Sequence, residues 1–248
     1  MIYLTGDTHR NFERIYQFCR RHNTSRAEDL MIILGDAGLN YYGKRFDDEI
    51  KRKVSTLPIT FLCVHGNHEM RPQSVEGYIP RQWCGGFVMF EPEFQNILFA
   101  IDGEIYDLNG LSTMVVGGAY SVDKEERLEA QACGFEQYKW FADEQPDTLT
   151  KLRCEQALAR HGHKVDVLLS HTCPFNDRPV EAFLPGVDQS TVDTTTEEWL
   201  QKLVDHNDVK VRFSGHYHVD GTYHKSRILY KDIIMFPTKE ELYGTQDQ

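Results

Sequence analysis

Short apolar runs rich in Ile, Val, Leu and Phe recur along the chain at 2–5, 30–34, 59–64, 112–116, 165–169 and 209–213. Most are continuous rather than alternating, which predicts strands covered on both faces. Between several of these runs the hydrophobic period lengthens. In 11–22, Phe12, Ile15, Cys19 and His22 fall at i, i+3, i+7 and i+10, one face of a helix. Segments 45–57 and 148–160 behave similarly. Thr194-Thr195-Thr196-Glu197 has the form of a capping box opening a helix that runs to about His206. Alternating strands and helices predict an α/β sandwich with right-handed crossovers. Residues 69–96 and 172–193 show little periodicity and are expected to be long loops, which in compact domains are often functional. Neither an internal repeat nor a low-complexity segment is present, so one domain over 1–248 is expected.

The residues just beyond the strands are more specific than the strands themselves. Gly6-Asp7-Thr8-His9 comes after the first, Gly35-Asp36 after the second, and His65-Gly66-Asn67-His68-Glu69 after the third. Ser170-His171 succeeds the run at 165–169, and Ser214-Gly215-His216-Tyr217-His218 the run at 209–213. Sites in α/β sheets form outside the carboxyl ends of strands, so these side chains can converge in one crevice. Carboxylate oxygen, imidazole nitrogen and amide oxygen together suit Mn²⁺, Fe or Zn²⁺. If the backbone stays extended, both members of Asp7-x-His9 and of His216-x-His218 project to one side. Singly, each motif is a turn, a cap or a solvated histidine more often than a ligand. Five of them in order, each at a strand end, make coincidence a poor explanation.

Composition narrows the function further. The charge of −11 offers no bulk attraction to nucleic acid or to an anionic membrane. No run approaches the apolar length needed to span a bilayer. A basic stretch leading into a long apolar segment is missing from the N-terminus, so no export signal is expected. Six cysteines without CxxC spacing read as reduced thiols, which favours a cytoplasmic location.

In this order the motifs Asp-x-His, Gly-Asp, Gly-Asn-His-Glu, Ser-His and Gly-His-x-His resemble those of the calcineurin-like metallophosphoesterase superfamily, from Gly6 to His218. The resemblance implies a four-layer αββα sandwich with two central mixed sheets and the metal site at the strand C-terminal ends. It further implies a binuclear metal-dependent phosphoesterase that cleaves a phosphomonoester or phosphodiester by attack of a metal-bridging hydroxide. Two divalent ions are implied, Mn²⁺ foremost, with Fe, Zn²⁺ or Co²⁺ as the other expectations. Carried over residue by residue, Asp7, His9, Asp36 and His218 would hold one ion, and Asp36, Asn67, His171 and His216 the other. His68 would be the proton donor.

Arg10 and Asn67 are the expected substrate-facing residues; a guanidinium beside His9 offers a fork to phosphate, although a surface arginine is an equal expectation. Lys124 and Arg127, after the Gly117-Gly118-Ala119-Tyr120 turn, are expected at a solvated helix start or at the mouth of the site. His65 is expected behind the ligands, His161 and His163 near a helix C-terminus, and His22, His206 and His224 without a predicted partner. Phosphoprotein phosphatases of the superfamily carry Gly-Asp-x-x-Asp-Arg where this chain has Gly35-Asp36-Ala37-Gly38-Leu39-Asn40. That departure places the chain nearer small bacterial or phage-type members. The expected substrate is a phosphorylated small molecule, a nucleotide or a phosphoprotein, with long nucleic acid disfavoured and no membrane partner. The alternatives are a nuclease, a phosphoprotein phosphatase, or a non-catalytic scaffold that keeps the fold.

Overall fold

The computed structural model describes residues 1–135 and 137–244. In chain order its elements are β1 (Ile2–Thr5), α1 (Glu13–His22), β2 (Leu30–Ile33), α2 (Lys44–Ser55), β3 (Thr60–Cys63), β4 (Ile79–Trp83), β5 (Gly86–Phe90), β6 (Ile97–Ala100), β7 (Ile105–Leu108), β8 (Leu111–Val116), α3 (Lys124–Ala132), α4 (Thr148–Arg160), β9 (Lys164–Ser170), α5 (Thr195–His206), β10 (Asp208–Ser214), β11 (Gly221–Tyr223), β12 (Ser226–Ile228), β13 (Ile233–Met235) and α6 (Lys239–Tyr243). Among the described residues the strands form two sheets, ordered β13-β1-β2-β3-β6-β5-β4 and β11-β12-β10-β9-β8-β7. Both are mixed. β1, β2, β3 and β6 are parallel, with β13 and β5 antiparallel to their neighbours. β8, β9, β10 and β12 are parallel, with β7 and β11 antiparallel.

Strand pleating explains the uninterrupted apolar runs. Leu30, Ile32 and Leu34 face the space between the sheets, in one cluster with Leu62, Val64, Val115, Val167 and Leu169. Met31 and Ile33 point the other way, into a cluster with Ile15 and Cys19 of α1 and Val54 of α2. On the second sheet, Met114, Val116 and Leu168 pack beneath Cys154 and Leu158 of α4 and Leu200 and Leu203 of α5. Helix, sheet, sheet and helix therefore form four layers, and both faces of each central strand are dry.

Register then aligns the strand ends. Thr5 pairs with Ile33 and Ile33 with Cys63, while Ser170 pairs with both Val116 and Ser214. Parallel strands ending at one level deliver their loops to one rim. The two rims are tied together by Gly118 N–H donating to His65 O at 2.8 Å and by His171 Nδ1 against Leu34 O at 2.7 Å.

Three local expectations are corrected. Segment 69–96 contains the β4–β5 hairpin, with Ile79 opposite Phe90 and Trp83 opposite Gly86. β4 is an edge strand with Pro80 inside it and largely exposed side chains, so it lacks the alternation that marks a half-buried strand. The 194–197 capping box does not form. Thr194 Oγ1 donates to Glu198 instead, and Glu197 turns inward to accept from Thr172 Oγ1 at 2.7 Å. In α1 it is Phe18 that joins Phe12, Ile15 and Cys19 in the core, while exposed His22 stacks on the Phe18 ring.

Segment 172–193 does remain irregular, with short 3₁₀ turns at Phe175–Asp177, Val180–Ala182 and Gln189–Thr191. Its root is fixed by Asp177, which is fully buried and accepts from Arg212 Nη1 at 2.9 Å, Ser226 Oγ at 2.6 Å and His224 Nδ1 at 2.8 Å. His224 thus gains the partner its sequence context did not reveal. Asp177→Ala strands the buried Arg212 guanidinium without its carboxylate and is expected to lower stability by about 3–5 kcal/mol. Urea unfolding of the two proteins checks this; equal midpoints would show that Asp177 does not anchor the segment.

Candidate metal centre

Glycine lets the rim crowd this closely. A Cβ on Gly35, whose φ is +100°, would lie 1.9 Å from His171 Nδ1, and one on Gly66 would lie 2.0 Å from Asp36 Oδ1. Neither position accepts a side chain without displacing a candidate ligand. The strand-end residues are themselves strained. His9, Asp36, His216 and His218 have φ of 43°, 49°, 69° and 53°, left-handed values that L-residues rarely adopt. The extended backbone expected for Asp7-x-His9 and His216-x-His218 is therefore not what aims these side chains. Tight left-handed turns aim them, and strain of about 1–3 kcal/mol per residue is of the kind that gathers at functional sites.

Each aspartate is fixed through one oxygen and presents the other. Asp7 Oδ1 accepts from His216 N–H at 3.0 Å, and Asp36 Oδ1 from His68 N–H at 2.8 Å. Asp7 Oδ2 is buried and without a hydrogen bond, although His218 Nε2 lies 3.2 Å away and His9 Nε2 3.8 Å away. Asp36 Oδ2 sits between His9 Nε2 at 3.9 Å and His171 Nε2 at 3.7 Å. His9 and His218 bring their Nε2 atoms to 2.9 Å of each other. The His216 ring packs edge-on against His171, centroids 5.1 Å apart. Asp7, His9 and His218 make one group whose ligand atoms lie within 4.8 Å of one another; Asp7, Asp36 and His171 make a second.

The polar bookkeeping at His171 tests whether a cation fits. Its Nδ1–H is directed at the Leu34 carbonyl, which leaves Nε2 of the neutral ring as an acceptor. Nε2 nevertheless faces Asn67 Oδ1 at 2.8 Å, while Asn67 Nδ2 donates to Ser121 Oγ at 2.8 Å. Two acceptors pointed at each other, beside an unpartnered carboxylate oxygen and a pair of facing imidazole nitrogens, lack a positive centre. A divalent ion supplies it, so the donor set fits metal.

Without an ion, cationic imidazoles are the alternative source of that positive charge, and the carboxylates respond to them. Burial alone would raise the Asp7 carboxyl, but the imidazoles of His218, His171 and His9 outweigh it and hold the group well below the usual carboxylate range. Asp36 is likewise lowered, with burial opposed chiefly by His171 and His68. His216 is pushed down to about 3, first by burial and then by His171. His218 is raised by its contact with Asp7. Burial, with the Asp36 charge beside it, pushes Glu69 up to about 8. The Glu69 carboxyl accepts backbone N–H groups of Gly66, Ala37 and Gly38 at 3.4, 3.3 and 3.1 Å, and so binds the second and third motifs together.

Outside this cluster the candidates divide. His68 lines the cavity above the cluster; its Nε2 accepts from Asn67 Nδ2 at 3.2 Å, and its buried Nδ1 has no partner among the described residues. Burial lowers its pKa. The Arg10 guanidinium donates to Asp47 at 2.6 Å and to the carbonyls of Gly38 and Phe46, lies against Tyr42, and shares a second cavity with His9 and His68. Lys124 lies over the Trp140 ring, whereas Arg127 does reach the mouth, paired with Asp123 at 2.7 Å. Leu39 is a core residue and Asn40 accepts from Tyr78 OH, so both departures from the phosphoprotein phosphatase motif serve packing. His65 is buried, with Nε2 against Glu69 O at 3.0 Å.

Sequence reasoning missed Ser121, which fixes the Asn67 amide, although it too lies just beyond a strand end. It also missed the cavity of about 360 Å³ over the cluster, whose outer wall is built from residues 178–194.

A four-layer sandwich with carboxylate, imidazole and amide ligands gathered at the carboxyl ends of its central strands defines the metallophosphoesterase class. Residues 1–220 match the family model described as calcineurin-like phosphoesterase, and the chain belongs to that family, a metal-dependent phosphoric ester hydrolase. Among solved structures, the chain is similar to a phosphopantetheinyl hydrolase from Mycobacterium tuberculosis, at 15% identity and a TM-score of 0.47, over 92% of this chain and 87% of that one. No curated protein matches. Among the described residues, no helix is long and apolar enough to cross a membrane.

Proposed function

We propose that the protein is a binuclear phosphoesterase that cleaves a phosphorylated small molecule or nucleotide. Asp7, His9, Asp36 and His218 hold one divalent ion; Asp36, Asn67, His171 and His216 hold the second, Mn²⁺ being the foremost candidate. The observation that carries this reading is the pair of facing acceptors, His171 Nε2 and Asn67 Oδ1, 2.8 Å apart beside the unpartnered Asp7 Oδ2. The bridging role of Asp36 is supported by the position of Oδ2 between His9 and His171. When bound, such ions acidify water and neutralise phosphoryl charge.

The chain's own residues supply the rest. His68 lines the cavity beside the candidate ligands, with Nε2 against Asn67 Nδ2 at 3.2 Å, and as an imidazolium it would give a proton to the leaving oxygen. Asn67, held by Ser121, offers a ligand oxygen without adding negative charge toward an anionic substrate. The cavity, walled by 178–194, supports a small substrate over a protein segment or a long nucleic acid. Six free cysteines support a reducing, cytoplasmic setting.

Purified protein assayed on phosphomonoesters, phosphodiesters and nucleotides is expected to lose activity in chelator and regain it with Mn²⁺. Undiminished hydrolysis by chelated, metal-free protein would sink the proposal.

A further inference from the structure

One polar group in the cavity has no task in the chemistry above. Glu197 lies in the first turn of α5, is 4% exposed and lines the same cavity as His68 and His216. Its sequence position suits a capping box, yet Thr194 makes no cap bond. Oε1 accepts from Thr172 Oγ1, which is 3.1 Å from Tyr217 OH, and Oε2 is buried with no hydrogen-bond partner among the described residues. A buried acceptor left open in a folded protein is destabilising and calls for an explanation, of which a ligand is one.

The walls around it are apolar. Val122, Phe183, Leu184, Val187 and Val192 line the cavity, and Phe183 lies nearly parallel to Tyr217, with ring centroids 6.1 Å apart. Leu184, 63% exposed, is the most accessible of these apolar lining residues. Arg178, stacked on Phe175, adds a planar cation to the same wall. One cavity is thus lined by candidate metal ligands, by apolar and aromatic side chains, and by Glu197.

We propose that the enzyme takes a phosphate ester whose organic group is compact, apolar or aromatic, and carries a hydroxyl that pairs with Glu197. A hydroxyl suits the position because one atom donates to a carboxylate or accepts from a carboxylic acid. Burial raises the Glu197 pKa, which makes both states relevant. This inference rests on the phosphoesterase reading and deepens it: Glu197 selects the substrate and takes no part in cleavage.

The test compares Mn²⁺-loaded protein on the 2-, 3- and 4-isomers of hydroxymethylphenyl phosphate with the matching ethylphenyl phosphates, which are close in size and leaving-group strength. The best hydroxymethyl isomer is expected to exceed its ethyl partner in kcat/KM by about tenfold or more, the worth of one hydrogen bond to a charged group. Glu197→Met, which keeps the volume and removes the acceptor, is expected to bring that ratio to about one. Leu184→Asp, at an exposed site that tolerates substitution, is expected to raise KM for both esters by about fivefold, the worth of a lost apolar contact. If Glu197→Met fails to fold, the wild-type ratio and the Leu184→Asp result decide. Equal use of both esters by the wild type, or a ratio unchanged in Glu197→Met, overturns the role of Glu197 while the phosphoesterase reading stands. Failure to bind Mn²⁺ or to cleave any ester overturns both.

Discussion

Asp36→Asn is expected to leave the protein folded while removing most of its bound divalent metal and lowering phosphoester hydrolysis by about 10³-fold, equivalent to about 4 kcal/mol of transition-state stabilisation. The substitution preserves shape. The asparagine oxygen can still accept the His68 backbone N–H, as Asp36 Oδ1 does at 2.8 Å. At the other position the change is severe, because a carboxylate oxygen lying 3.9 Å from His9 Nε2 and 3.7 Å from His171 Nε2 becomes an amide nitrogen. A neutral donor there removes one negative charge and points hydrogens where a cation would bind. Folding should survive, since Asp7 and Asp36 repel each other and burial disfavours both charges. Elemental analysis of protein purified without chelator, together with initial rates, checks the result. A variant that keeps its metal and its rate would remove Asp36 from the centre.

His68→Ala should separate substrates by their leaving groups. For an alkyl phosphate, whose departing alkoxide needs a proton, the expected loss is about 10²–10³-fold. For 4-nitrophenyl phosphate, whose leaving group departs as a stable anion, it is under about tenfold. The asymmetry follows from proton demand, because a proton given by His68, which lines the cavity, matters only where the departing oxygen requires it. His68 also has a structural tie, because its backbone N–H is bonded to Asp36. That tie is kept in the alanine variant, so a general collapse of the site is not expected. Equal losses on both esters would indicate that His68 orders the site without transferring a proton.

Much of the scaffold was legible because it depends on local pattern. The run at 2–5 coincides with β1, and the run at 209–213 falls inside β10. Burial on both faces left apolar residues at consecutive positions in most of them, and each strand end then announced itself with Asp, His or Asn, in four of five cases beside a glycine. The hairpin at β4 and β5 escaped for the complementary reason. An edge strand carrying proline and exposed side chains has no hydrophobic period to read. The apparent capping box at 194–197 misled because a capping glutamate and a cavity glutamate have the same sequence, and only the packing of α5 over the site chose between them.

The sequence by itself determined which residue types stand at the ends of which strands, because each motif is written within a few consecutive positions. Tertiary structure alone decided what each of those groups faces. It set which oxygen of Asp7 and of Asp36 is held by backbone and which is presented, since the partners, His216 and His68, come from other segments. It paired Arg10 with Asp47, thirty-seven positions along the chain. It also brought residues of 178–194 to the cavity that the candidate ligands line, with apolar side chains and Glu197 in its wall. These outcomes depend on distances between segments far apart in sequence, which the periodicity of any single segment does not encode.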